Sequence, residues 1–288
     1  MIISKLAVIG VGLIGGSLAR GLRAAGQVGE IVGCGRGREN LEKAVELGVI
    51  DSYTLDIAEA VTGADMIFLA VPLGAMRDAF AAMQGHLAGN AVITDGGSVK
   101  GSVIADCEAV FGEVLPNFVP GHPIAGTEKN GVEASFAELY QNRRVILTPV
   151  RQTDDAAIAR VDAMWRYCGA EINRMFPVDH DRVLAATSHL PHMLAFALVD
   201  MLSRVDYEED IFKYAAGGFR DFTRIASSNP IMWRDICVAN KDAVAALVEA
   251  YADEMTRLAT AIRNDDIDTL TQMFTNAKKH RDAFIDGV

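Results

Sequence analysis

The sequence predicts an α/β domain followed by an all-α domain, and three observations carry that prediction. A short apolar run at the amino terminus enters a glycine-rich turn and then a helical pattern. Apolar runs of strand length alternate with helical stretches as far as Met175. From Val178 onward the pattern is helical almost throughout, so a boundary is expected near Phe176–Pro177, with domains spanning 1–176 and 177–288.

The first strand is Lys5 to Ile9, followed by GVGLIGGS, Gly10 to Ser17, and a helical pattern through Arg23. This is GxGxxG in its required context, with a strand before it and a helix after it. Gly10 suits the tight turn, Gly12 lets the backbone approach a pyrophosphate, and Gly15 lets the helix pack closely on the strand. Leu13 and Ile14 open the helix, where free N–H groups face the phosphates. A Rossmann-like dinucleotide-binding domain is therefore expected. The second strand, Glu30 to Cys34, ends at Gly35, where an NAD enzyme carries an acidic ribose anchor about 20 residues past the loop. Arg36 and Arg38 follow, so the local chemistry favours NADP, with Arg36 on the 2′-phosphate. Two solvated arginines beside a bound NAD are the other reading.

A helix from Glu39 to Leu47 is closed by Gly48. Met66 to Val71, MIFLAV, reads as a strand buried on both faces and ended by Pro72, which makes Val71 and Pro72 candidate cofactor contacts. Ala91 to Thr94 repeats the strand signal and runs into DGGSVK, opening a helix to about Val110. Ser98 there can cap the helix, reach a ligand, or do both. Asn117 to Val119 is a short strand that breaks at Pro120–Gly121 to deliver His122 on a stiff loop, followed by polar residues Thr127, Glu128, Lys129 and Asn130. A histidine at the carboxyl end of a strand, in a chain with a nucleotide loop, is placed for chemistry; a buried histidine bonded to the loop backbone is the alternative. A strand at Val145 to Thr148, a helix at Asp155 to Cys168 and a strand at Glu171 to Met175 complete this half.

In the second half, Val183 to Leu202 reads as a helix interrupted by Pro191, with His189 and His192 three apart and no third ligand to make a metal site. Val244, Leu247, Val248, Tyr251, Met255, Leu258, Ala259 and Ile262 recur at helical spacing, more apolar surface than a segment of this size buries alone. A homodimer through this half is expected. Between them lies GGFRDFTR, Gly217 to Arg224, then SSNPIMWRD, Ser227 to Asp235. Arginines this dense in an acidic chain point to carboxylate or phosphate recognition, with surface pairing to Asp221 and Asp235 as the other reading, expected for Arg220 at least.

Composition narrows the classes. A hydrophobic fraction of 50% and a charged fraction of 23% fit a globular protein, and a net charge of −11 argues against nucleic acid. Cys34, Cys107, Cys168 and Cys237 form no CxxC pair, so a reduced, cytoplasmic protein is expected. No window approaches the ~20 uninterrupted apolar residues of a membrane span.

GVGLIGGS, TDGGSVK (Thr94 to Lys100), PGHPIAGTEKNGVEAS (Pro120 to Ser135), SHLPHMLAFALV (Ser188 to Val199) and GGFRDFTRIASSNPIMWRDI (Gly217 to Ile236) together resemble the prephenate/arogenate, or cyclohexadienyl, dehydrogenases of tyrosine biosynthesis. The resemblance implies a Rossmann-like domain joined to a helical dimerisation domain. It implies oxidative decarboxylation of prephenate to 4-hydroxyphenylpyruvate, or of arogenate to tyrosine, with hydride passing to NAD or NADP. It further implies His122 as the base, Ser98 against the ring hydroxyl and nicotinamide, His192 on the substrate side chain, and Arg224 on a carboxylate, with Gly218 among the substrate-binding residues. Trp233 matches a residue that reaches the partner subunit's site. No chorismate mutase segment and no ACT-type domain is expected in the chain, so any inhibition by tyrosine is expected to act at the active site. A β-hydroxyacid or imine-reducing dehydrogenase is the alternative among enzymes, but the head of its second domain carries a catalytic lysine or aspartate where this chain has Asp179, His180 and Asp181. A non-catalytic dinucleotide-sensing dimer is the alternative outside them.

Overall fold

The computed structural model describes residues 1–127, 129–205 and 211–286. The chain divides into two compact units, Met1–Lys241 and Asp242–Val288. In the first, β1 (Ile3–Ile9), α1 (Leu13–Ala24), β2 (Val28–Cys34), α2 (Arg38–Glu46), β3 (Ser52–Thr54), α3 (Ile57–Val61), β4 (Met66–Leu69), α4 (Met76–Met83), β5 (Val92–Asp95), α5 (Lys100–Phe111) and β6 (Phe118–Val119) build one parallel sheet with strand order β3-β2-β1-β4-β5-β6. The order reverses between β1 and β4, the crevice in which open α/β sheets bind ligands.

Both faces of the sheet are covered, and strand alternation shows how. Leu6 and Val8 of β1, with Met66 and Phe68 of β4, join one core cluster; Ala7, Ile9, Ile67 and Leu69 join the other. Successive residues point to opposite faces, so a continuous apolar strand is what a doubly covered sheet requires. On the first face Phe68 meets Trp165 edge to face at 5.5 Å, and Tyr140 meets Trp165 at 4.9 Å.

A second small sheet follows: β7 (Gly121–Pro123) pairs antiparallel with β8 (Arg144–Leu147), which pairs parallel with β9 (Glu171–Arg174) beyond α6 (Asp155–Tyr167). Asp154 caps α6 by accepting from the Ala156 N–H at 3.0 Å. His122 therefore sits on a strand, in register with Ile146, and not on the stiff loop the sequence suggested. The physical reason lies in the flanking prolines: each holds the residue before it extended, which is the conformation a strand needs. Glu128 of the polar loop lies outside the described residues.

Helices fill the rest: α7 (Pro177–Leu184), a π-helical turn at Ala185–His189, α8 (Leu190–Ser203), α9 (Gly217–Thr223) and α10 (Pro230–Ala239). Pro191 does not interrupt the helix. It falls in the first turn of α8, directly after the π turn, where its missing N–H is tolerated. Pro177–Ser203 is long and apolar enough to cross a membrane by length and composition. Its polar residues are nevertheless hydrogen-bonded to other elements: His180 to His122, Asp181 to the Lys100 and Gly101 amides, and His189 to Asn240. The second unit holds α11 (Lys241–Arg263) from Asp242 on and α12 (Ile267–Asp286).

Candidate active site

The glycine loop is shaped for a pyrophosphate. Gly10 has φ +102°, and a Cβ there would stand 2.4 Å from the Ala70 carbonyl oxygen, so only glycine lets β1 turn against the end of β4. At Gly15 a Cβ would meet the Gly10 carbonyl oxygen at 2.1 Å, which fixes how closely α1 packs. Gly12 occupies the N-cap of α1 with no side-chain cap, and a Cβ on it would touch nothing within 4 Å. The first turn of α1, at Leu13 and Ile14, thus has no side-chain cap for its N–H groups, an arrangement that fits a dinucleotide phosphate. Val71 and Pro72 follow β4 on the same edge, and the Val71 amide lies 3.2 Å from the position of a Gly10 Cβ. At the end of β2, Arg36 is exposed, whereas Arg38 donates to the Tyr53 hydroxyl at 3.1 Å.

The carboxyl end of β5 is locked by a buried ion pair. Lys100 and Asp95 are both fully buried and bonded to each other. Lys100 also donates to the Gly121 carbonyl at 2.6 Å, and Asp95 accepts from the Gly97 amide at 2.8 Å and the Gly121 amide at 3.0 Å. Burial lowers the Lys100 pKa, opposed by its contact with Asp95. Ser98 is half-buried between these anchors, and the N-cap position of α5 is Val99, so the serine hydroxyl is not spent on the cap. The cap comes instead from Asp181 of α7, which accepts from the Lys100 amide at 2.7 Å and the Gly101 amide at 2.8 Å.

His122 lies at the centre of this arrangement, 9% exposed. Its Nδ1 is 2.8 Å from Nε2 of His180, whose Nδ1 is 2.7 Å from Oδ1 of Asp181. Burial, reinforced by His180, Lys100 and His189, holds the His122 pKa well below the usual imidazole range. Burial likewise lowers His180, against its hydrogen bond to Asp181. Burial pushes Asp181 up, but its bonds from His180, Lys100 and Gly101 outweigh that and leave it lowered. The result is a neutral histidine with a carboxylate two groups behind it.

α8 and α10 add the remaining residues. His192 stacks on Trp233 with ring centroids 3.7 Å apart and planes at 21°. Its Nδ1–H donates to the Ser188 carbonyl at 2.8 Å, which leaves Nε2 for a ligand. Burial lowers the His192 pKa and the Arg224 charge adds to the effect, so the guanidinium stands within electrostatic reach of that ring. Gly218 lies exposed in α9 with open space at its Cα. Trp233 is 6% exposed and packs against Val99, Ile236 and His192. His189 is buried beside Trp233 and accepts at Nδ1 from Asn240, 3.3 Å away, while Asn240 also donates to the Asp181 carbonyl at 2.9 Å.

His180, Asp181, Lys100 and Asn240 are the residues that reading the sequence missed. A lysine closing TDGGSVK and a paired His-Asp at the head of the first helix after the boundary were visible. The contacts of His180 with His122, 58 positions away, and of Asp181 with the Lys100 amide, 81 positions away, were not.

Comparison with known proteins agrees with this geometry. Residues 18–174 match the family described as prephenate dehydrogenase, nucleotide-binding domain, and residues 176–276 its dimerization domain. A cyclohexadienyl dehydrogenase from Zymomonas mobilis is 40% identical over 284 residues, covering 97% of this chain and 96% of the relative. The crystal structure of Aquifex aeolicus prephenate dehydrogenase with hydroxyphenyl propionate and NAD+ superposes with a TM-score of 0.90 at 40% identity, covering 96% of this chain and 97% of that one. Synechocystis arogenate dehydrogenase gives a TM-score of 0.80 at 30% identity, covering 97% and 99%. The nucleotide loop, the buried histidine at the sheet edge and two matched domains spanning nearly the whole length converge: the chain belongs to the prephenate dehydrogenase family.

Proposed function

We propose that His122 is the base in the oxidative decarboxylation that this enzyme carries out, on prephenate to give 4-hydroxyphenylpyruvate, on arogenate to give tyrosine, or on both. The chain is an oxidoreductase that uses a nicotinamide dinucleotide. The observation that carries the role of His122 is its state: buried, neutral and next to Gly121, whose amide bonds Asp95 at the carboxyl end of β5. A neutral imidazole takes the proton of the substrate's ring hydroxyl as hydride leaves the same carbon. When bound, the nicotinamide supplies the hydride acceptor. Carbon dioxide is then lost because the ring becomes aromatic, and the protein's larger task is orientation.

The other roles follow from chemistry and position. Ser98, with its hydroxyl uncommitted to a cap, is suited to bond the ring hydroxyl. His192 offers Nε2 to the substrate side chain, and Arg224, whose charge that ring feels, is suited to hold a carboxylate. Gly218, where a Cβ would touch nothing within 4 Å, is suited to leave room for the substrate, and Trp233 braces His192. Arg36, exposed after Gly35 where an acidic anchor is missing, favours NADP over NAD.

Initial rates with prephenate or arogenate, each with NAD+ or NADP+, test the reading. Turnover is expected in at least one combination, with NADP+ preferred and the preference reduced in Arg36→Ala. His122→Asn is expected to lose on the order of 10²–10⁴ in kcat while still binding cofactor. Unchanged kcat in that variant rules out His122 as the base. Any inhibition by tyrosine is expected to be competitive with the substrate; noncompetitive inhibition places its site elsewhere.

A further inference from the structure

We propose that His180 is a positioning residue that fixes the tautomer of His122, with Asp181, His180 and His122 forming a one-way chain of hydrogen bonds. The inference rests on His122 being the base. Its direction follows from which atoms can donate. The Asp181 carboxylate already accepts from the amides of Lys100 and Gly101, so it can only accept again from Nδ1–H of His180, 2.7 Å away. A neutral His180 with its proton on Nδ1 has a bare Nε2. That atom can only accept, and the donor facing it at 2.8 Å is Nδ1 of His122. His122 therefore carries its proton on Nδ1 and its lone pair on Nε2, away from His180 and free for the substrate. The opposite tautomer would set two bare nitrogens against each other in a buried space.

The packing holds this order in place. His180 is fully buried, and Asp181 is pinned to the start of α5, so neither ring nor carboxylate is free to turn into solvent. The charged and titratable groups facing the pair are Lys100, Asp95, Asp181 and His189. The Lys100 ammonium is engaged by Asp95 and the Gly121 carbonyl, so it does not compete for the imidazole nitrogens. When His122 takes the substrate proton on Nε2, its Nδ1–H bond to His180 becomes charge-assisted and no proton has to leave the ring.

The test uses the full chain labelled with 15N-histidine at neutral pH, with the His122 ring signals identified by their loss in His122→Asn. The expected result is Nδ1 protonated and Nε2 bare in the wild type and in His180→Gln, whose amide oxygen can accept where the imidazole nitrogen did. His180→Leu is expected to move the proton of His122 to Nε2. It is also expected to lower kcat by about 10²–10³-fold, by analogy with losing the orienting group of a catalytic triad, with cofactor affinity within about threefold. His180→Gln is expected to stay within about tenfold of the wild-type kcat. A wild-type spectrum with the proton on Nε2, or a His180→Leu enzyme with unchanged tautomer and kcat, overturns the inference. If His180→Leu does not fold, the wild-type and His180→Gln spectra decide. Because these spectra need no substrate, their failure is separable from a failure of the proposed reaction.

Discussion

His122, His180 and His189 are each held neutral mainly by burial, which links the site to stability as well as to chemistry. Below pH 6.5 the unfolded chain takes up protons that these buried rings refuse, so stability is complete above that value and is lost as pH falls. For His189 the window runs from 6.5 down to about 4. Replacing it by leucine is expected to flatten the fall in unfolding free energy across that window, by up to about 3 kcal/mol, in urea titrations at several pH values. An unchanged slope shows that His189 does not titrate on unfolding in that range. Asp181, lowered from 3.8, acts in the same direction at lower pH. For the same reason the acid limb of kcat/KM is expected below pH 6.5, since His122 stays unprotonated until then; a limb above 6.5 contradicts the burial argument.

At the scale of elements, the Asp95–Lys100 pair joins the end of β5, the start of α5 and β7 through Gly121. Lys100→Met leaves a buried carboxylate without its cation and is expected to cost about 3–5 kcal/mol, read by urea denaturation. A loss under about 1 kcal/mol denies the pair a structural role. The long, buried elements were legible in advance because their periodicity is strong: β1, β4, β5 and the glycine turn lie close to where the sequence put them. β3 and α3, three and five residues long, are too short for any period to register and went unread. β7 was taken for a loop because prolines on both sides mimic a turn signal, although the same restriction also serves a strand. Pro191 misled for a related reason: a proline signals a break until a π turn is found before it.

At the scale of the molecule, α11 leaves Val248, Tyr251, Met255 and Ile262 exposed on the stripe whose spacing suggested a dimer, and residues 176–276 match a dimerization domain. Tyr251→Asp combined with Ile262→Asp is expected to shift the enzyme to monomers in sedimentation velocity. Dimers that persist unchanged place the interface elsewhere. By itself the sequence determined the strand-turn-helix that binds a dinucleotide, the change from alternating to helical pattern, and the residue types on which the chemistry rests. All of these depend on neighbours within a turn or a strand. Only the tertiary structure decided which groups surround His122. Asp181 reaches the first turn of α5 across 81 residues, and His180 reaches His122 across 58, by packing α7 against α5. Hydrogen-bond direction, burial and the charge state of a histidine belong to such long-range contacts, and no local pattern in the chain encodes them.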